Sequence, residues 1–261
     1  MKYEKVIKYI VCWLKKYINK HKSNGFIIGI SGGIDSSVTS FLVSMTKYPT
    51  LVLEMPILEN EKNILSKKHI NLLTTKFSNV HYLKKDLSIL FTSFCHTINV
   101  NQKIKNTDLA LVNVKSRIRM LTLYYYANLK NYLVVGTGNK VEDFGVGFFT
   151  KYGDGGVDLH PIADLTKSEV RFIAKKLNIL DEIQKAKPTD GLWEDKRSDE
   201  EQLGATYEEL EWAMNMKKKE NYNFSKKENN ILKIYQKLHK KNKHKIIKIP
   251  VCKIPKILKK F

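Results

Sequence analysis

The stretch whose residue types and spacing could do chemistry is Ser-Gly-Gly-Ile-Asp-Ser-Ser, residues 31–37. Adjacent Gly32 and Gly33 let the backbone turn sharply and approach a ligand without Cβ interference. Ahead of them Phe26, Ile27, Ile28 and Ile30 form the apolar run a buried parallel strand needs. Behind them Ser36 or Ser37 can start a helix through Val38, Phe41 and Leu42. The first N–H groups of that helix lack intrahelical partners and sit at the positive end of its dipole, so the turn is an anion site. Asp35 inside the turn would repel a bare phosphate and makes sense with Mg²⁺ between the two. There is no G-x-x-x-x-G-K-[ST] pattern, so this is not a Walker A loop.

Residues 141–158 hold the next candidates, with five glycines and four acids in eighteen positions and no helical or strand period. A structureless stretch this long inside a compact chain is usually functional. Its acids, Glu142, Asp143, Asp154 and Asp158, can hold Mg²⁺ or accept hydrogen bonds from hydroxyls. Phe144, Phe148 and Phe149 are too apolar for a free surface loop. Thr166 caps a following helix and Glu169 completes a capping box, which puts Lys167 at the first helical position. A cation is disfavoured there, so an anion is expected beside it. Pro188-Thr189-Asp190-Gly191 and the charged run after it form a lid candidate within residues 181–203.

The elements that must position these residues follow from periodicity. Residues 2–21 carry apolar side chains on one helical face, and Asn24-Gly25 is the expected stop. Strands are expected at Leu51–Met55, Val80–Leu83 and Tyr132–Val135, the last ending in Gly136-Thr-Gly-Asn139. Helices are expected over 60–77, 86–98 and 106–129, the third capped by Asn106 or Thr107, then over Tyr207–Met216 and Ser225–Lys240. In the long helix Arg117 and Arg119 lie two apart and point to different faces, with Arg117 solvated. Strand and helix alternate, which predicts an α/β fold: a doubly wound, mostly parallel sheet with helices on both faces and ligands at the carboxyl ends of its strands.

Composition narrows the class. With 261 residues and no Pro/Gly/Ser-rich linker, one domain over 1–261 is expected. No run of about 18 uncharged apolar residues is present, so no membrane span is expected, and the charged N-terminus is not a secretory signal. Cys12, Cys95 and Cys252 are scattered and form no CxxC pair, as suits a reducing cytosol. The formal charge is +20, yet only four of 46 basic residues are arginine. Codon bias and small anionic substrates account for that balance better than RNA does.

The heptad at 31–37 resembles the phosphate loop of ATP pyrophosphatases, and the longer set of motifs resembles the ammonia-dependent NAD synthetase family over residues 3–250. That set comprises KSRIRM at 115–120, VVGTGNKVED at 134–143, FFTKYGDGGVD at 148–158, PIADLTKSEV at 161–170, KPTDGL at 187–192, SDEEQLG at 198–204 and NKHK at 242–245. The resemblance implies a cytoplasmic homodimer that joins ATP, ammonia and deamido-NAD into NAD, AMP and pyrophosphate through an adenylated carboxylate. It implies that Gly29, Ile30, Ser31, Gly32, Gly33, Ile34, Asp35 and Ser36 hold ATP phosphates, with Thr137, Lys167 and Thr189 also on ATP. Asp35 and Glu142 would bind Mg²⁺, with Asp143 the neighbouring alternative, because the spacing from Glu142 to Lys151 is one residue longer than in some relatives. Arg119, Lys151, Asp158, His244 and Lys245 would contact the dinucleotide, and Asp35, Lys167 and Asp158 would carry catalysis. Glu54–Asn60 lacks the glutamine expected for adenosine contact, so no adenine pocket is assigned. The apolar N-terminal helix is a candidate dimer contact. The competing readings are a tRNA-modifying ATP pyrophosphatase, which the charge favours and FFTKYGDGG opposes, and a nucleotide-binding sensor without turnover.

Overall fold

The computed structural model describes residues 2–58, 64–189, 193, 198–216 and 223–259. Four strands, β1 (Gly25–Gly29), β2 (Thr50–Glu54), β3 (Val80–Lys84) and β4 (Tyr132–Val134), form one parallel sheet in the order β3-β2-β1-β4. Helices α1 (Tyr3–His21), α2 (Ile34–Ser44) and α3 (Ile64–Lys76) come from the first part of the chain. Helices α4 (Ser88–Thr97) and α5 (Thr107–Lys130) connect β3 to β4.

Strand alternation sends side chains to both faces, and along the inner strands β1 and β2 both are buried, while edge strand β3 leaves His81 and Tyr82 exposed. Phe26, Ile28, Val52 and Val80 pack with α1, α2, α3 and α6 (Lys167–Lys176). Ile27, Leu51, Leu53 and Val134 pack with Phe91 of α4 and with Ile118 and Ala127 of α5. Such two-sided burial explains why the strands read as continuous apolar runs. The chain winds outward from β1 to β3, then crosses back to place β4 on the other side of β1. The switch point therefore lies between β1 and β4, where the loops after both strands diverge and leave a crevice. A third apolar cluster joins Val141 and Val146 to α8 (Asp199–Leu203), α9 (Tyr207–Met216) and α10 (Lys226–Ile246). Helix α7 (Asp181–Lys185) precedes it.

Several local expectations are corrected. Helix α1 ends at Lys22, which takes a left-handed conformation (φ 52°), and Gly25 instead opens β1, where a Cβ would strike the Pro49 carbonyl. The apolar face of α1, with Ile7, Ile10, Leu14 and Ile18, is spent on the chain's own core rather than on a partner. Helix α2 begins at Ile34, not Ser36, so Asp35 lies in its first turn. Neither Asn106 nor Thr107 caps α5; the Thr107 hydroxyl donates to the Asn101 and Ile104 carbonyls. Of the helix expected over 60–77, residues 60–63 lie outside the described residues. Helix α10 runs to Ile246 and absorbs the NKHK segment.

The largest correction concerns residues 141–158. Lys140–Val146 form a π-helix, capped by Asn139, whose side-chain oxygen accepts from the Val141 and Glu142 N–H groups. A π-turn takes up one residue more than an α-turn. Such a turn has neither the 3.6 nor the 2 period, which is why the pattern looked structureless. Phe144 points out of it and is 43% exposed.

Candidate active site

At the switch point the loop after β1, the π-helix after β4, α6 and α9 meet. The loop after β1 is closed on itself: Gly33 N–H donates to Ser31 Oγ, Ser31 Oγ lies 2.9 Å from Ser36 Oγ, and Ser36 Oγ donates to the Gly33 carbonyl. Ser37 Oγ donates to the same carbonyl. Gly32 holds φ +86°, which only glycine adopts without strain. Gly29 ends β1, Ile30 is buried, Gly33 is the α2 N-cap position, and Ile34 begins the helix with Asp35 next to it.

Asp35 meets the π-helix and α6. Lys167, 3% exposed, places its Nζ 2.5 Å from Asp35 Oδ2 and 2.9 Å from Glu142 Oε1. The capping box of Thr166 and Glu169 sets Lys167 at the first position of α6, as expected, and the anions it meets are these two carboxylates. Asn139 Nδ2 also donates to Asp35 Oδ1, at 3.4 Å. Burial pushes Asp35 up from the ordinary carboxylate range, against the pull of Lys167. Burial works the same way on Glu142, but Lys167, Tyr207 and Asn139 outweigh it and hold that acid below its ordinary value. For Lys167, burial opposes the charge, yet the two carboxylates win and keep it protonated.

Asp143 faces another way. Gly138 leaves the space its carboxylate fills, and a Cβ at Gly136 would press on the His160 ring. His160 Nδ1 stands 3.5 Å from Asp143 Oδ2, beyond a hydrogen bond. Burial, with Glu142, Asp154 and Asp35 nearby, raises Asp143 well above the usual range, and burial lowers His160. His160 is thus neutral near pH 7, and Asp143 holds its proton more tightly than an ordinary carboxyl. Between Glu142 and Asp143, it is Glu142 that shares the lysine with Asp35.

The remaining expected residues fall into separate groups. Thr137 is half-buried on the loop after β4, and Thr189 is exposed beyond α7. Asp190–Leu192 and Glu194–Arg197, the heart of the lid candidate, lie outside the described residues. Arg119 Nε donates to the Met55 carbonyl at the end of β2, whereas Arg117 is exposed, as expected. Lys151 Nζ donates to the His244 carbonyl and Lys245 Nζ to the Phe149 carbonyl, so the end of α10 is tied to the 148–151 segment. Burial lowers Lys245 from its ordinary value. Asp158 sits apart: its carboxylate accepts from Val134 N–H and Tyr124 Oη, on the segment that pairs along the outer edge of β4 through the Val135–Leu159 bridge. Glu54, in the segment without the expected glutamine, accepts from Tyr82 Oη and Ser66 Oγ.

Sequence reasoning passed over Asn139 and Tyr207. Asn139 carried a signal, since an Asn after a strand and before a helical turn is a preferred N-cap. Tyr207 carried none, because it is joined to Glu142 only through the packing of α9 on the π-helix.

A parallel sheet wound in this order, with a glycine loop and an acid-bearing loop on either side of its switch point and a buried lysine between them, is the ATP pyrophosphatase fold. The NAD synthase family model matches residues 6–249, and the chain belongs to that family. An NH3-dependent NAD+ synthetase of Sulfurisphaera tokodaii is 39% identical over 213 residues, 81% of this chain and 73% of its own. Another, from Finegoldia magna, is 36% identical over 243 residues and covers 92% and 95% of the two chains. Among solved structures, an NMN synthetase from Francisella tularensis has a TM-score of 0.84 and 28% identity over 97% of this chain and 100% of its own. An NH3-dependent NAD synthetase from Campylobacter jejuni has a TM-score of 0.77 at 23% identity, covers 97% of this chain and 100% of its own, and is similar in fold.

Proposed function

We propose that this chain uses ATP to amidate deamido-NAD with free ammonia, giving NAD, AMP and pyrophosphate. The observation that carries the reading is the Asp35–Lys167–Glu142 cluster beside the glycine loop, in a chain of the NAD synthase family. A carboxylate is a poor electrophile because its leaving group would be an oxide. Attack of the substrate carboxylate on the α-phosphorus breaks the bond to the β-bridging oxygen, releases pyrophosphate and forms a mixed anhydride. Ammonia then adds to the activated carbonyl, and AMP leaves.

The loop from Gly29 to Ser36 supplies backbone N–H groups for phosphate oxygens. Lys167 supplies a fixed positive charge, already protonated and shielded from water, where phosphate charge must be balanced. Asp35 and Glu142 fit Mg²⁺: both are hard oxygen donors, and the cationic Lys167 Nζ lies against both. Among the described residues no cluster of three or more ligating side chains exists. Mg²⁺ does not need one, because it takes one or two carboxylates with substrate phosphates. When bound, it supplies Lewis-acid neutralisation of the phosphates. Thr137 and Thr189 would complete the ATP site, and Arg119, Lys151, Asp158, His244 and Lys245 would grip the dinucleotide. Asp158 has its carboxylate committed to Tyr124 and β4, so it orients ligand at most through its remaining lone pairs.

The domain, partner and location readings belong to the same proposal. The third cluster packs on the π-helix that carries Glu142, which supports one domain. For a homodimer, the surface that fits is not α1 but the exposed apolar row Ile89, Leu90 and Phe94 of α4 with Leu121, Tyr125 and Leu129 of α5. No described helix is long and apolar enough to cross a membrane, and a cytoplasmic location suits the reaction.

The likeness to an NMN synthetase favours a second reading, amidation of nicotinic acid mononucleotide on the same site. A tRNA substrate is not favoured. The test is AMP release with ATP and Mg²⁺, with each nicotinate nucleotide in turn, with and without ammonium, and with tRNA as control. AMP and NAD formed together only with deamido-NAD and ammonium is the expected result. Turnover restricted to the mononucleotide selects the second reading, and AMP formed only with tRNA overturns both.

A further inference from the structure

Tyr207 opens α9 and its side chain is 0% exposed, yet it is not merely an apolar plug. A buried phenol costs stability unless its hydroxyl is bonded, and phenylalanine would fill an apolar cluster at lower cost. The Tyr207 hydroxyl is instead aimed at acids. It lies 2.5 Å from Glu142 Oε1, within the short range of hydrogen bonds to carboxylates, and 3.1 Å from Asp199 Oδ2. The ring lies beneath Lys167, with Nζ 4.7 Å from its centroid. The Tyr207 backbone N–H donates to Glu200 Oε1, which ties α9 to α8.

Lys167 Nζ and Tyr207 Oη donate to the same oxygen of Glu142. Two donors converging on one carboxylate oxygen fix both its rotamer and its plane. Lysine alone, on a flexible four-carbon stem, would fix neither. We propose that Tyr207 is a positioning residue: its single hydroxyl proton goes to the nearer acid, Glu142, and orients that carboxylate for the metal. Outer partners of this kind typically change metal affinity or activity about 10–100-fold when removed.

The inference rests on Glu142 being a metal ligand, and the experiment separates the two. Mg²⁺ binding in the presence of a non-hydrolysable ATP analogue is measured by calorimetry for the wild type, Tyr207→Phe and Glu142→Gln, with initial rates of AMP formation titrated with Mg²⁺, Tm and the KM for the nicotinate substrate measured alongside. For Tyr207→Phe the half-saturating Mg²⁺ concentration rises about tenfold, while that KM stays within about twofold. A merely structural tyrosine would lower Tm and the active fraction but leave the Mg²⁺ midpoint where it was, and that result overturns the inference. Unchanged Mg²⁺ dependence in Glu142→Gln overturns the metal reading itself. If Tyr207→Phe does not fold, 3-fluorotyrosine at position 207 makes the phenol a stronger acid at nearly the same shape. A moved Mg²⁺ midpoint supports the inference, and an unmoved one overturns it.

Discussion

Asp35 and Glu142 share one ammonium, and the arithmetic of that cluster predicts opposite effects for its members. Two carboxylates and one lysine leave one negative charge in excess, and burial accordingly raises Asp35. Asp35→Ala removes the excess and leaves a matched Glu142–Lys167 pair. It is expected to keep its fold, seen by circular dichroism, and to lose Mg²⁺-dependent turnover by about 100-fold or more. Lys167→Met leaves two carboxylates facing each other without a counter-ion. Denaturant titration is expected to show a loss of about 3–5 kcal/mol, the usual cost of stripping a partner from a buried charge. Equal stability of the two variants would mean that lysine does not hold the site together. Of these residues, Asp35 and Lys167 were legible from local pattern, as an acid in a glycine turn and a cation at the wrong end of a helix dipole. Tyr207 was not, because its role depends on a residue 65 positions away.

At the scale of elements, the helix α2 that follows the glycine loop is buried almost all round, and His69 of α3 braces it. His69 is fully buried, lies 2.9 Å from Ser40 Oγ through Nε2, and is pulled down to about 4 by burial. The unfolded chain binds this proton near pH 6.5, whereas the folded chain refuses it until about 4. Stability from the neutral imidazole is therefore fully present above about pH 6.5 and falls as the pH drops toward 4. Between pH 7 and 5 this single group accounts for a loss of about 2 kcal/mol. Urea titrations at the two pH values check it: His69→Gln should flatten the difference by about that amount, and an unchanged difference would assign it to other groups. The strands and most helices were legible because the inner strands are buried on both faces and the apolar periods are clean. The π-helix was not, since its period matches neither template, and helix ends held by a left-handed Lys22 carried no glycine to mark them.

At the scale of the whole molecule, the described residues of α4 and α5 carry a row of exposed apolar side chains. Leu121, Tyr125 and Leu129 recur every four residues and are each more than 60% exposed. Tyr125→Glu combined with Leu129→Lys is expected to turn a dimer into monomer in light scattering, with far-UV circular dichroism unchanged. A wild type that is monomeric at micromolar concentration would remove the homodimer reading. The +20 charge remains lysine-dominated and spread along exposed helix faces such as that of α10, which suits a solvated surface better than a shaped groove. The sequence by itself determined the parallel α/β class, the glycine loop, the capped entry of Lys167 and the family. Each of these is encoded in contiguous residues, by period, turn chemistry or motif. Only the tertiary structure decided that Glu142 rather than Asp143 joins Asp35, that Asp158 is occupied at the sheet edge, and that Tyr207 and Asn139 belong to the site. Those choices depend on which loops meet at the β1–β4 switch point and how a one-residue-longer turn rotates its acids. Such facts arise from packing between distant segments, which no local pattern records.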